Sequence, residues 1–214
     1  MTDRRSYDAT RRRERAEEQK RQTRERVVDA ARRLFLEQGY VATTITAIAQ
    51  EAGVSAQTVY LSFSGKAEIL HRVADVAIGG DHEELTIFQR TTWQQLESEA
   101  DPARQVRLLA DLMAAIAERM APVWQAYREA AATDPRAAAD MAALLKGRHE
   151  SLTRALRLLP EERLRLPLAE CVDSFWTISS LDGYLLLTGH RGWSHEQWRD
   201  WLRETAVVQL LSPS

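Results

Sequence analysis

The strongest constraint on the fold is a pair of helix-capping signals eleven residues apart. Thr44 and Ser55 each precede a short run of residues with helical apolar spacing, and each hydroxyl can accept a free backbone N–H at a helix start. Gly53 lies between the two runs, where it can adopt the left-handed conformation that ends a helix. We therefore expect short helices at about 45–52 and 56–63, joined as a helix-turn-helix.

Helical patterns continue on both sides of this pair. Apolar residues recur at helical spacing from 21 to 38, and Gly39 supplies a stop. A further helix is expected from 66 to about 78, after the break at Ser64-Gly65. No stretch shows the sustained alternation of apolar and polar residues that marks a strand. The sequence predicts an all-α fold.

The remainder of the chain predicts longer helices, giving nine or ten in total. Three later starts carry cap signals: Asp101-Pro102, Asp134-Pro135, and Ser194 with Gln197. Pro122 is expected to kink or divide the helix that starts at Pro102. The apolar segment 168–187 is expected to be a single helix. The pattern indicates a small N-terminal cluster followed by a larger bundle.

Charge is distributed unevenly along a chain whose net charge is only −2. Residues 1–33 contain 12 Lys and Arg against seven Asp and Glu, so the rest of the chain is acidic. A basic end on an acidic body suggests a polyanionic partner. A solvated tail is the alternative interpretation of the same charge.

Several functional classes find little support in the sequence. Cys171 is the single cysteine, no apolar run approaches the roughly 18 residues of a membrane span, and the N-terminus is Arg-rich rather than apolar. His82-Glu83-Glu84 lacks the second histidine of a zinc-protease helix, and no phosphate-binding glycine loop occurs. We expect a cytoplasmic protein with no membrane contact, no enzymatic activity, and no metal or cofactor.

The helix after Ser55 exposes a face that suits the major groove of DNA. Gln57 can pair with an adenine edge, and Leu61 can touch a thymine methyl group. Tyr60 and Lys66 lie where a hydroxyl and an ammonium group could hold phosphates. From periodicity alone, an ordinary helical hairpin with Tyr60 at its rim is the alternative.

Residues in this segment resemble the signature of the TetR family of helix-turn-helix transcriptional regulators. The matching positions are Gly39-Tyr40, Thr43-Thr44-Ile45, Ile48-Ala49, Ala52-Gly53-Val54-Ser55, Thr58-Val59-Tyr60, Phe63, Lys66 and Leu70. The resemblance implies phosphate contacts from Thr44, Thr46, Tyr60 and Lys66, and base contacts from Gln57, Thr58 and Leu61. It also implies a helical ligand-binding and dimerisation body. Ala47 and Ser62 depart from the pattern, the first by removing half of a capping box.

The arginine-rich N-terminus gives a second candidate DNA element. Arg4, Arg5, Arg11, Arg12 and Arg13 precede the predicted first helix, where an arm could enter an adjacent minor groove. Alternatively, this segment simply extends the first helix, with neighbouring glutamates pairing locally. The candidate DNA-binding residues are thus Thr44, Thr46, Ser55, Gln57, Thr58, Tyr60, Leu61 and Lys66, together with Arg11, Arg12 and Arg13.

A single helix-turn-helix reads few base pairs, so two-fold dimerisation is expected to supply the missing specificity. Segments 168–187 and 194–211 carry apolar stripes that could form a four-helix interface between subunits. The candidate interface residues are Val172, Phe175, Ser179, Asp182, Leu186, Trp198, Trp201, Leu202 and Thr205. Burial of the same stripes in the monomer core is the alternative.

The middle helices, at about 101–157, are expected to enclose a pocket for a small apolar effector. Methionine and aromatic side chains suit an adaptable apolar cavity. The candidate lining residues are Trp93, Met113, Ile116, Met120, Trp124, Tyr127 and His149, with Arg148 as a second possible polar anchor. For any one of them, core packing is the alternative.

Taken together, the residues and the resemblance predict a homodimeric, ligand-responsive repressor that binds a palindromic DNA operator. The expected division is a basic arm at 1–20, a DNA-binding domain at 21–66, and a ligand-binding and dimerisation domain at 67–214. A helix-turn-helix protein without a small-molecule ligand, acting architecturally or through a protein partner, is the alternative.

Overall fold

A computed structural model describes the backbone of residues 3–213 and the side chains of residues 11–213. The α-helices are α1 Asp3–Ala42, α2 Ile45–Glu51, α3 Ala56–Ser62, α4 Lys66–Gly79, α5 Thr91–Ser98, α6 Pro102–Thr133, α7 Pro135–Leu156, α8 Leu168–Ile178, α9 Leu181–Leu185 and α10 His195–Leu210. Within the described backbone, the β-pairing amounts to one isolated bridge between Leu164 and Leu211. The predicted all-α fold is confirmed.

Local signals place the helix starts of the N-terminal region. The Thr44 hydroxyl accepts the Ala47 backbone N–H at 3.1 Å, and the Ser55 hydroxyl accepts the Thr58 N–H at 3.0 Å. Gly53 has a φ of 67°, the left-handed geometry that turns α2 into α3. The helix-turn-helix forms as predicted.

The helix-turn-helix packs on α1 and α4 through fully buried apolar side chains. Val27 of α1, Ile48 of α2, Val59 of α3 and Leu70 of α4 are each at 0% exposure. This core continues into α6, where Tyr127 belongs to the same cluster. The N-terminal module, residues 21–66, therefore rests directly on a helix of the body.

A second apolar cluster holds the body together. It joins α5, α6, α7, α8 and α10 through large buried side chains: Trp93, Leu109, Leu152, Phe175, Trp198 and Leu202. Helix α6 contributes to both clusters and is thus the shared wall of the molecule. No helix within residues 3–213 is long and apolar enough to cross a membrane.

The expected single helix at 168–187 is wrong. Helix α8 ends at Ile178, and the Ser180 hydroxyl accepts the Gly183 N–H at 3.1 Å to start the separate helix α9. A π-helical turn, Leu186–His190, follows. The division arises because a serine cap competes locally with helix continuation. Pro122, in contrast, stays inside a continuous α6 and does not divide it.

Five residues expected at a dimer interface are buried inside the monomer. Val172 and Phe175 of α8, Ser179, and Trp198 and Leu202 of α10 have at most 4% exposure. Their helical spacing marks the stripes that pack within the body, so the monomer-core interpretation is correct for them. Asp182 and Leu186 are exposed, and Trp201 and Thr205 are partly exposed.

The N-terminal basic segment is helical where it is described. Helix α1 runs without interruption from Asp3 through residue 20, so the backbone has no break at the expected 20/21 boundary and no separate arm. The extension alternative is the one observed. Arg11, Arg12 and Arg13 are exposed on this extension, whereas the side chains of Arg4 and Arg5 lie outside the described residues.

Candidate functional site

Helix α3 presents one exposed face opposite its buried Val59. Gln57 is exposed, Tyr60 is 62% exposed, and Leu61 is 78% exposed. These positions are three and four residues apart, so they share a face of the helix. A helix of seven residues with such a face fits a major groove about 12 Å wide.

Three hydroxyl groups around the two helix caps already make hydrogen bonds within the protein, and a fourth is exposed to solvent. The oxygens of Ser55 and Thr58 lie 2.8 Å apart and share a hydrogen bond, while Thr44 is engaged with Ala47. Thr46 is exposed. Since no side chain at Ala47 can return a hydrogen bond, the capping interaction here is one-sided.

The end of α3 is fixed by contacts that sequence patterns did not reveal. Arg24 of α1 donates a hydrogen bond to the Ser62 carbonyl, and its guanidinium lies 4.3 Å from the centre of the Phe63 ring. Glu68 of α4 accepts the Ser64 backbone N–H at 2.6 Å. The exposed face of α3 is thereby held between α1 and α4.

Lys66 has a structural task besides its predicted one. Its Nζ donates to the carbonyls of Tyr40 and Thr43 at 2.6 and 2.8 Å and lies 4.1 Å from the centre of the Tyr40 ring. Burial lowers the pKa of this ammonium group. Because Lys has three N–H donors, one remains for a phosphate. The predicted phosphate contact stays a prediction.

Two carboxylates of the body accept hydrogen bonds from the segment after Gly39, where non-helical backbone interrupts α1. Glu129 of α6 accepts the backbone N–H groups of Tyr40 and Val41 at 2.8 and 3.1 Å. The Tyr40 hydroxyl donates to Asp134 at 2.7 Å, and this hydrogen bond holds the pKa of Asp134 below its usual value. We call Tyr40, Lys66, Glu129 and Asp134 the junction cluster.

Gly39 makes room for the junction cluster. Its φ of 81° and ψ of 171° belong to a region essentially reserved for glycine, and an added Cβ would lie 2.6 Å from a Glu129 carboxylate oxygen. The Gly39-Tyr40 pair was visible in the sequence. Its carboxylate partner, 90 residues later in the chain, had no local signal.

The far end of α4 is also tied to α6. The Arg119 guanidinium donates to the carbonyls of Ala77 and Ile78 at 2.8 and 3.0 Å, which satisfies the C-terminus of α4. Burial lowers the pKa of Arg119. Helix α6 therefore makes two contacts. Through Glu129 it contacts the N-terminal module at the junction cluster, and through Arg119 it contacts the C-terminal end of α4.

A cavity of about 1000 Å³ lies between α4, α6, α7 and the α8–α9 corner. Four predicted residues line it together: Met113, Ile116, Met120 and Trp124 of α6. Its size falls in the range of small-molecule sites. Helix α4 supplies one wall, with His71, Asp75 and Ile78.

Three predicted lining residues lie elsewhere. Trp93 is buried in the second cluster, where its indole N–H donates to Glu97 at 2.6 Å. Tyr127 is buried in the first cluster. His149 is exposed and faces Asp173 at 3.3 Å. Aromatic and methionine content indicated a pocket but not which face of each helix would line it.

Other cavity residues were assigned elsewhere or missed. Ser179 and Asp182, expected at the dimer interface, both line the cavity; Ser179 is buried after α8, and Asp182 is exposed in α9. Trp176 and His71 were not singled out. Arg148, predicted as a second polar anchor, also lines the cavity.

These features define a helix-turn-helix protein in which α4 contacts the N-terminal module and also lines the cavity. Residues 27–73 match the sequence model described as "Bacterial regulatory proteins, tetR family". An uncharacterised HTH-type transcriptional regulator of Pseudomonas putida, TtgW, is 44% identical over 52 residues, which are 24% of this chain and 39% of that protein. The chain spans less than half the length of the curated relatives it matches.

Two solved structures share the fold over most of both chains. A candidate transcriptional regulator from Saccharomonospora viridis in complex with choline has a TM-score of 0.67 and 19% identity, covering 89% of this chain and 98% of that one. A SmeT–triclosan complex has a TM-score of 0.67 and 18% identity, with coverage of 90% and 93%. The N-terminal region is thus similar to the TetR family of bacterial regulators, and the chain shares its overall fold with these two structures.

Proposed function

We propose that this protein is a cytoplasmic, ligand-responsive transcriptional repressor that binds a palindromic operator as a homodimer. The observation that carries the DNA-binding part is the face of α3. Gln57, Tyr60 and Leu61 protrude from a short helix whose start and end are both fixed by hydrogen bonds. Exposed side chains on a rigid support are what base recognition requires.

Dimerisation would use the outward faces of α8 and α10 rather than the buried stripes. On α8 the exposed positions Asp173 and Thr177 lie four residues apart, and on α10 Trp201 and Val208 retain exposure. Val208 is 60% exposed and adds apolar surface to this face of α10. In a dimer joined there, a two-fold axis would relate the two α3 helices.

Ligand control would act through α4 and α6. Helix α4 begins at Lys66, inside the junction cluster, and its later turns form a wall of the cavity. A ligand that shifts α4 or α6 would change the separation of the two α3 helices, so both half-sites would lose register together. The choline and triclosan complexes of similarly folded proteins support a ligand role for this cavity.

Selection of bound DNA from a random pool tests the proposal. We expect a partly palindromic site with half-site centres about 34–36 Å apart, or a multiple of a helical turn. A footprint with two-fold symmetry supports the regulator. Binding without sequence preference would contradict sequence-specific regulation and favour an architectural role.

A second measurement separates ligand control from DNA recognition. The selected operator is titrated with protein in the presence and absence of compounds that raise the melting temperature. Release of the operator by such a compound supports control by a ligand. A specific footprint that no stabilising compound releases would favour control by a protein partner.

A further inference from the structure

The cavity contains a cation that no carboxylate of the described residues neutralises. Arg148 of α7 donates both hydrogen bonds of its Nη2 to the α8–α9 corner, to the Trp176 carbonyl at 3.0 Å and to the Ser179 hydroxyl at 2.7 Å. Both acceptors are uncharged. Its Nε and Nη1 retain three N–H donors that make no hydrogen bond within the described part of the chain.

Most other charged groups around the cavity have a hydrogen-bond or ion-pair partner. Asp75 lies 3.7 Å from Arg72 and 3.8 Å from His71, and Asp182 lies 3.2 Å from Arg128. Glu68 accepts the Ser64 N–H, and Arg90 pairs with Asp81 at 2.7 Å. Arg24, at the edge, donates to the Ser62 carbonyl and adds to the field at Glu68. Glu83 and Glu84 are exposed at the rim.

Burial makes the charge of Arg148 costly, although the Trp176 ring, whose centre lies 5.5 Å from the guanidinium carbon, gives it a cation–π contact. Burial lowers the pKa of Arg148 to about 10, so the group stays protonated near neutral pH at the expense of stability. A second donor lies nearby, since the Trp176 indole N–H is buried and has no hydrogen-bond partner among the described residues. The corner formed by Arg148 and Trp176 therefore offers N–H donors and positive charge to an acceptor.

The apolar side chains of the cavity lie mainly on its α6 and α7 walls. Met113, Ile116 and Met120 form the α6 wall, and Leu144 and Leu152 of α7 add to it. We propose that the cavity binds an amphipathic anion, a single carboxylate on an apolar chain or ring system, with the carboxylate on Arg148 and the apolar part against α6. This inference rests on the proposed function, since the same cavity would take the effector, and it replaces the expected purely apolar ligand.

Carboxylate recognition at Arg148 has a plain chemical basis. A guanidinium can donate two parallel N–H bonds to a carboxylate, and such charge-assisted bonds are stronger than neutral ones. In a partly enclosed cavity they are screened less than in bulk water. A quaternary ammonium group at the same place would instead meet a like charge. The cavity should thus rank ligands as anion, then neutral, then cation.

A matched ligand series on the full-length protein without DNA tests this ranking. Decanoate, decan-1-ol and decyltrimethylammonium share one chain length, and their binding can be followed by calorimetry and by the fluorescence of Trp124 and Trp176. We expect decanoate to bind about ten- to a hundredfold more tightly than decan-1-ol. Equal affinities, or tighter binding of the cation, would overturn the proposal without touching ligand control as such.

Variants then assign the preference to Arg148. Arg148→Gln should bring decanoate to the affinity of decan-1-ol, whereas Lys146→Gln removes an exposed charge from the same helix and should preserve the difference. A preference that survives Arg148→Gln would show that Arg148 only caps α8, and would overturn the assignment. If Arg148→Gln does not fold, the uncharged Arg148→Met takes its place, with the same loss of preference expected and a surviving preference again overturning the assignment.

Filling the cavity locates the ligand. Ile116→Trp should weaken decanoate and decan-1-ol alike, and unchanged binding of both would place the ligand elsewhere and overturn the proposal. Footprints with and without decanoate are read separately. If decanoate binds as expected but does not release the operator, the ligand class stands and the proposed control of DNA binding is wrong.

Discussion

The N-terminal module and the cavity region meet along α4, and they differ in whether their buried polar groups have hydrogen-bond partners. Among the described side chains of residues 11–66, no buried nitrogen or oxygen lacks a hydrogen-bond partner. Around the cavity, His71 Nδ1 and Trp176 Nε1 are buried without one, and nearby Tyr127 has an unpaired hydroxyl. Each such group costs about 1–3 kcal/mol when left unpaired.

The difference indicates where each region can gain further hydrogen-bond partners. The module is internally satisfied, and it presents a convex face, Gln57 with Tyr60 and Leu61, that gains partners only from outside. The cavity region carries an internal deficit that a bound molecule could reduce. We infer that the module behaves as a rigid reader, while the walls of the cavity are the part whose energy a ligand can change.

Replacement of Gly39 should have the largest effect, because this glycine lies where the N-terminal module contacts α6 of the body. Gly39→Ala forces a Cβ into a glycine-only conformation and against Glu129, so we expect a loss of about 2–3 kcal/mol in the free energy of unfolding, measured with urea. Gly53→Ala is the matched control. Its φ is also positive, at 67°, but no atom lies within 4 Å of the added Cβ.

The control should lose about 1–2 kcal/mol, the cost of the left-handed backbone alone. If the two variants lose the same free energy, contact with Glu129 does not constrain the junction, and the module and body are less tightly joined than the hydrogen bonds suggest. Such a result would mean that the two regions do not constrain each other at Gly39.

Removal of one side chain from the reading face should leave the body untouched. Gln57→Ala is expected to lose about 1–3 kcal/mol of discrimination at one base position, with affinity for other positions little changed. Gln125→Ala, at an exposed position of α6, is the control and should read DNA normally. A uniform loss across all sequences would mean that Gln57 contacts phosphate rather than a base.

Sequence patterns predicted the module well because its determinants are local. Thr44, Ser55 and Gly53 each act within four residues, and their geometry in the structure is the one their chemistry demands. The TetR resemblance covered the same region, and the family model matches it at residues 27–73. Lys66 shows the limit even here, since its carbonyl partners on Tyr40 and Thr43 lie more than 20 residues away.

The body was predicted less well because its determinants are distant in sequence. An apolar stripe on α8 or α10 looks the same whether it faces another subunit or α6, and Phe175 and Trp198 proved to be core. The cavity depends on Ser180 ending one helix and starting another, which turns Ser179 inward. Helix content and the Pro-marked starts at Pro102 and Pro135 were nevertheless correct.

The Tyr40 hydroxyl offers a smaller and pH-dependent test of the junction cluster. Tyr40→Phe removes the hydrogen bond to Asp134, and we expect a loss of about 0.5–1.5 kcal/mol near neutral pH. The hydrogen bond lowers the pKa of Asp134, so its stabilisation is complete above the ordinary pKa of about 4 and is lost as the pH falls through the lower, folded-state value. Urea unfolding of both proteins between pH 7 and pH 3 measures this.

The difference in stability between wild type and Tyr40→Phe should therefore be constant at neutral pH and shrink below about pH 4. A difference that does not change with pH would mean that the charge of Asp134 contributes nothing to the contact. The stabilisation would then come from Tyr40 packing alone, and the junction would be apolar in character like the rest of the first cluster.

Arg11, Arg12 and Arg13 should give the smallest effect, because they lie exposed on the N-terminal extension of α1, where salt screens their charges. Their joint replacement by Gln is expected to weaken binding to all DNA sequences alike and to flatten the salt dependence, by about 0.9 in the log–log slope for each phosphate that the variant no longer neutralises. Replacement of Arg104, Arg136 and Arg157 removes the same charge from exposed positions on the body. If both triple variants change the slope equally, the extension acts only through net charge, and the reading surface is confined to the module.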